Sequence, residues 1–308
     1  MSVLITTLLF SAISAAVVYL AGCRDAARDP RLTGWALVLM LIHPIAALGL
    51  PKWIHVGAPS GSQGSLAAMA GDVGWHGVWM AGSLILAARL GLAGVVIHSW
   101  RRHSLLLGRR GRVEIRMSPR VHGPVATGVF RPVVYVPVAW RMWSDETRRI
   151  VVDHEMAHHA RRDPMLRWMA EFACAVNWFN PVVWWMARRF VMQCEFACDA
   201  EVIASGVGKS RYVGVLCDLA VVDSDAGPIA AMAVRSTLEK RVIRLASIRD
   251  RGGIAGFSGS RCWLLGGVLA LAGTALAMVG PSPVQQSLVP ASEVQIRWSA
   301  NPFPAEPR

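Results

Sequence analysis

The chain is short of lysine, of acid and of paired cysteines, and each shortage excludes something. Lys52, Lys209 and Lys240 are its only lysines, and none completes an S-x-x-K acylation motif. Charged residues make up just 17% of the 308 residues, against 54% hydrophobic ones, which argues against soluble domains and for a membrane protein. The six cysteines (Cys23, Cys174, Cys194, Cys198, Cys217, Cys262) have no C-x-x-C spacing, so a zinc ribbon is excluded. Four of them fall in a segment expected in the cytoplasm, where thiols stay reduced, and no disulfide is expected.

What is present instead is long apolar sequence. Four runs, about 3–22, 34–50, 73–98 and 262–281, approach or exceed the roughly 20 residues that span a bilayer. The net charge of +12 first suggests a nucleic-acid partner, but its distribution suggests topology. Of the 32 Lys and Arg, 25 lie from Arg101 to Arg261, and Arg24, Arg28 and Arg31 separate the first two runs. The segment between the second and third runs holds only Lys52, and the tail only Arg297 and Arg308. Cytoplasmic loops carry the excess of Lys and Arg, so the N-terminus and tail are expected outside and the large loop inside. No direct nucleic-acid contact is then expected, whereas the lipid surface is a partner.

This reading divides the chain into a membrane region at 1–98 with three spans and a cytoplasmic domain at 99–261. A fourth span at 262–281 and a short outer tail at 282–308 follow. Leu20-Ala21-Gly22-Cys23 looks like a lipoprotein cleavage box, but no Lys or Arg precedes the run, so an uncleaved span is expected. The loop 51–72, with GAPSGSQGS, reads as a flexible connector. Arg89 lies within the third span, and the cost of a charge there means it faces other helices or marks the cytoplasmic interface.

The densest chemistry lies in VVDHEMAHHARRD. On a helix, His154 and His158 are four apart and share a face, so both imidazoles can reach one Zn²⁺. Glu155 is then placed to take a proton from a water at that ion. Ser144 followed by Asp145 and Glu146 predicts the helix start, and Asp163-Pro164 predicts the start of the next helix. His159 falls about 100° off the ligand face.

Before this helix, 113–117 and 132–137 read as strands of a small sheet, with turn residues across 118–128. Such a sheet serves either as a structural hairpin or as an edge against which an extended substrate pairs. After it, a helix over 164–176 and another from Asn180-Pro181 to Ser205, stopped by Gly206, are expected. The apolar part of this pair reads as buried helix that packs on, or dips into, the membrane. A catalytic zinc needs a third protein ligand. Glu195 is the candidate, with Asp199 four residues on to hold a ligand histidine's second nitrogen. By spacing alone, two surface carboxylates fit equally well.

HEMAHHARRDP, WFNPVVWWMARR and EFACDAEVI, in that order, resemble the BlaR/MecR-type membrane metallopeptidases, as do SPRVHGP, GVFRPVVYVP and the four-span layout. The resemblance implies a mainly α membrane protein of the bacterial inner membrane. A gluzincin-like α+β zinc protease domain would lie between spans three and four. It implies that His154, His158 and Glu195 bind Zn²⁺, that Glu155 is the base, and that the substrate is a protein. That substrate would be a regulator, often a transcriptional repressor, or the protease itself. Antibiotic-sensing relatives carry an outer penicillin-binding domain; here 27 residues follow the last span, so the β-lactam ligand is not carried over. An HtpX-like quality-control protease and a catalytically silent transducer are the alternatives. A site-2-type intramembrane protease fits less well, because Arg148, Arg149, Arg161 and Arg162 flank the metal helix. For the oxyanion, Tyr212, Arg188 and Arg189 are weak candidates. A homodimer is left open.

Overall fold

The computed structural model describes residues 2–25, 30–49, 54–56, 66–223, 228–247, 268–276 and 278–281. The chain opens with α1 (Ser2–Asp25), α2 (Arg31–Gly49), β1 (Ile54–Val56) and the long α3 (Leu66–Arg102). Four strands follow: β2 (Leu105–Arg110), β3 (Val113–Met117), β4 (Val125–Thr127) and β5 (Val133–Val136). Then come α4 (Asp145–Ala160), α5 (Asp163–Val176), α6 (Pro181–Ala204), α7 (Lys209–Asp223) and α8 (Pro228–Ser247). After a helix at 268–276, β6 (Val279–Pro281) ends the described chain. The expected tail at 282–308 lies outside the described residues, as does the start of the expected fourth span.

The protein is mostly helical. Among the described residues one helix, His76–Arg102, is long and apolar enough to cross a membrane, and Ile5–Tyr19 and Arg31–Ala46 are shorter apolar helices. In α3, Leu84, Ile85, Leu92 and Val95 are all exposed. The connector expected between spans two and three contributes β1, which pairs in parallel with β6.

The α5–α6 hairpin packs against α1 and α2, and α3 lies against α5. Phe10, Leu37, Met40, Cys174, Val183, Met186 and Phe190 form the buried apolar core. Polar bonds fix the hairpin turn deep among these helices. Asn177 Nδ2 donates to the Met40 carbonyl at 3.0 Å, and Asn180 Nδ2 to Ser11 Oγ at 2.8 Å. An unpaired amide at that depth costs about 1–3 kcal/mol, so these bonds fix which residues lie at the turn. On α3, Trp178 presses against Gly82 so closely that a Cβ there would sit 2.5 Å from the indole.

The sheet departs from a simple hairpin. Its order is β2-β3-β5-β4, and β3 and β5 are parallel neighbours. The expected turn region 118–128 thus contains the edge strand β4, antiparallel to β5. Part of the basic stretch 101–112 is β2, hairpinned to β3 through Gly111 at φ 59. Two of its arginines, Arg101 and Arg109, bond Glu114 together with Arg116 of β3. Burial raises the Glu114 carboxyl, but the Arg116 hydrogen bond and the three guanidinium charges outweigh that and hold it below its usual range.

A second core unites α4, α6, α7 and α8 through Ile150, Val151, Val202, Tyr212, Val215, Leu216 and Leu245. Burying each such aliphatic side chain contributes about 1.5–3 kcal/mol. This core turns one face of α4 towards α6 and α7.

Candidate metal centre

Helix α4 starts as expected, with Ser144 accepting from the Thr147 amide at 3.1 Å and two acids in the first turn. Its last two turns bury His154, Glu155 and His158. His159 turns away to the sheet, where its Nε2 donates to the Val133 carbonyl at 3.3 Å. Between α4 and α5 the chain reverses sharply. Arg162, not Asp163, caps α5, and it holds the left-handed conformation at φ 61. Asp163 is therefore the first helical residue, and its carboxylate reaches back to Nδ1 of His158 at 2.8 Å. Sequence reasoning gave Asp163 only a capping role. A carboxylate just past a helix whose last turn carries a histidine is the signal that could have found it.

A carboxylate can only accept, so Nδ1 of His158 carries the proton and Nε2 keeps its lone pair. His154 is oriented by a longer route. Its Nδ1 lies 2.9 Å from the Tyr212 hydroxyl, which is 2.7 Å from Asp199 Oδ1. Burial, and then the Asp199 charge, push the phenol up, so it stays protonated and donates to Asp199. Its oxygen accepts from His154 Nδ1, which again leaves Nε2 free. Asp199 itself lies 3.6 Å from His154 Nδ1, so it acts through the phenol. Arg241 Nε donates to Asp199 Oδ2 at 2.9 Å.

The two free Nε2 atoms face one carboxylate. Glu195, on α6, places its oxygens 3.4 Å from His154 Nε2 and 3.6 Å from His158 Nε2. Two ligands at about 2.1 Å from one tetrahedral zinc lie about 3.4 Å apart, so this donor set fits a zinc ion. Arg167 and Arg241 bracket the carboxylate at 2.7 and 3.3 Å. Burial alone would raise Glu195, but its polar surroundings, the Arg241 guanidinium among them, outweigh that and hold it well below the usual range.

Cys198 competes for the third position. With His154 and His158 it forms a buried group whose ligand atoms lie within 4.8 Å of one another. However, its sulfur accepts from Arg161 at 2.9 Å, and it does not line the cavity beside the histidines, whereas Glu195 does. A catalytic ion must be open to that space, so Glu195 is the better ligand.

This cavity holds 370 Å³. His154, Glu155, His158 and Glu195 line one part of it, Pro124, Val125 and Ala126 another, and Tyr212 and Arg241 a third. Burial raises the Glu155 carboxyl most, and a bond to the Ala126 backbone works against the rise. β4 is the edge strand of the sheet, and its Val125 and Ala126 border the cavity beside Glu155. Of the three residues considered for the oxyanion, the Tyr212 hydroxyl is already engaged. Arg188 is exposed, and Arg189 stacks over Trp185 at 5.5 Å; neither lines the cavity. Arg167 and Arg241, which do line it, are brought from α5 and α8 and had no signature in the sequence.

The chain matches the family described as BlaR1 peptidase M56 across residues 78–245, more than half its length. Over 92 residues it is 30% identical to the regulatory protein BlaR1 of Bacillus licheniformis. That stretch covers 30% of this chain and 15% of the relative. Since the family match runs from α3 into α8 and takes in every element that builds the centre, the chain belongs to the BlaR1 peptidase M56 family.

Proposed function

We propose that this chain is a zinc-dependent endopeptidase embedded in the bacterial inner membrane, which transmits a signal by cleaving a cytoplasmic regulator, such as a repressor, or itself. Membership of a peptidase family implies a protein substrate. The observation that carries the zinc reading is the convergence of His154 Nε2, His158 Nε2 and the Glu195 carboxylate on one point of the cavity. His154, His158 and Glu195 hold the ion, with Asp163 and the Tyr212–Asp199 pair fixing the two imidazoles. When bound, zinc supplies a Lewis acid that acidifies water and polarises a peptide carbonyl.

Glu155 does the proton work. Its raised affinity for a proton suits a general base near neutral pH. It takes a proton from the attacking water as the new C–O bond forms, then gives it to the leaving amine as the C–N bond breaks. The scissile segment lies extended along β4, the edge strand that lines the cavity.

The topology we propose has spans at about 3–22, 34–50, 73–98 and 262–281, with 99–261 cytoplasmic. The exposed aliphatic face of α3 suits lipid contact. Pairing of β1 with β6 suits two segments on the same, outer side. The α5–α6 hairpin of that cytoplasmic part then dips into the membrane layer, its turn level with Ser11 and Met40.

Comparing protein fragments in cells that carry the wild type or Glu155→Ala tests the activity. The reading predicts at least one cytoplasmic fragment, or a fragment of the chain itself, that vanishes in the variant. Identical fragment patterns would contradict it.

A further inference from the structure

A second cavity, of 380 Å³, opens between α3 and the α5–α6 pair. It borders the first. Val125, Ala126, Pro164 and Arg167 line both, so β4 runs beside the metal centre and beside this space. Its walls are apolar, with Leu86, Leu90, Ala93 and Ile97 of α3 facing Trp168 and Trp184. Arg89 and Glu171 also line it. A purely lipid-filled crevice would not gather three ionisable residues, Arg89, Arg167 and Glu171, and an ionisable residue at membrane depth marks a polar path or a site.

We propose that this cavity is a specificity subsite that takes a bulky apolar side chain of the polypeptide substrate, which runs along β4 between the metal centre and α3. The proposal rests on the peptidase reading above and adds where the substrate lies and what it must carry. An extended chain advances about 3.3 Å per residue, so the side chain seated here belongs to a residue about one to three positions from the scissile bond. The α3 wall makes a membrane helix part of the recognition surface. Polypeptides that present their cleavage site close to the inner face of the membrane therefore reach it most directly.

The test uses full-length, zinc-loaded protein in detergent with a library of peptides 10–20 residues long, whose products are sequenced and aligned on the cut bond. We expect Leu, Phe, Met or Trp enriched at one fixed position on one side of the cut, by about tenfold or more over small residues. Ala93→Trp, which fills the cavity from α3, should move the preference at that position towards small residues. Leu90→Ala, which enlarges it, should move it towards Trp and Phe. Because the two variants act in opposite directions, misfolding of one leaves the other informative, and zinc content reports the state of both. Cleavage by the wild type with no apolar preference, or with a profile that neither variant changes, overturns the subsite and leaves the peptidase reading intact. That is also the result expected if the space holds only a lipid chain. No cleavage at all by zinc-loaded wild type removes the peptidase reading and the subsite with it.

Discussion

The Tyr212 hydroxyl lies 2.9 Å from Nδ1 of His154, although 58 residues separate them. That contact passes the Asp199 charge to the imidazole and fixes its tautomer, a task usually done by a carboxylate alone. The arrangement differs from that at His158, where Asp163 binds directly.

Tyr212→Phe should therefore keep the ring in the core of α4, α7 and α8 while removing the oxygen. Zinc affinity should fall about 10–100-fold, measured by competition with a chelator, with little change in thermal stability. Unchanged affinity would mean that the phenol does not orient the ligand.

Glu195→Ala and Cys198→Ala separate the two candidates for the third ligand. The first should release zinc under dialysis that leaves the wild type loaded, and the second should keep it. Loss of zinc from Cys198→Ala alone would transfer the third position to the thiol.

Reporter fusions test the topology. Fusions at residues 60 and 295 should report outside and a fusion at residue 230 inside, following the Arg distribution. Residue 230 found outside would overturn the whole arrangement.

The parts legible in the sequence are those with local causes. Ser144, the two acids after it, the four-residue histidine spacing and Gly206 at φ 96 each act within one helix, and they predict α4 and the end of α6. The illegible parts depend on distant partners. β4 is three residues long, too short for alternation to show, and exists because β5 pairs with it. Tyr212 and Arg241 reach the centre only once α7 and α8 have packed on α4 and α6. Asp163 was misplaced by one position, because the left-handed Arg162 takes the cap that Asp-Pro ordinarily marks. Arg101 and Arg109 are tied to Glu114 only because β2 folds back on β3, a pairing that no local pattern announces.

The most direct test sets Glu155→Gln beside His154→Ala in one assay of bound zinc and substrate cleavage. In the proposed mechanism Glu155 is a base and not a ligand, so Glu155→Gln should keep its zinc and its membrane insertion and lose cleavage by several orders of magnitude. His154→Ala should lose both zinc and cleavage, since two remaining ligands hold the ion poorly. Normal cleavage by zinc-loaded Glu155→Gln would contradict the hydrolytic mechanism, and loss of zinc as complete as in His154→Ala would make Glu155 a structural residue of the site.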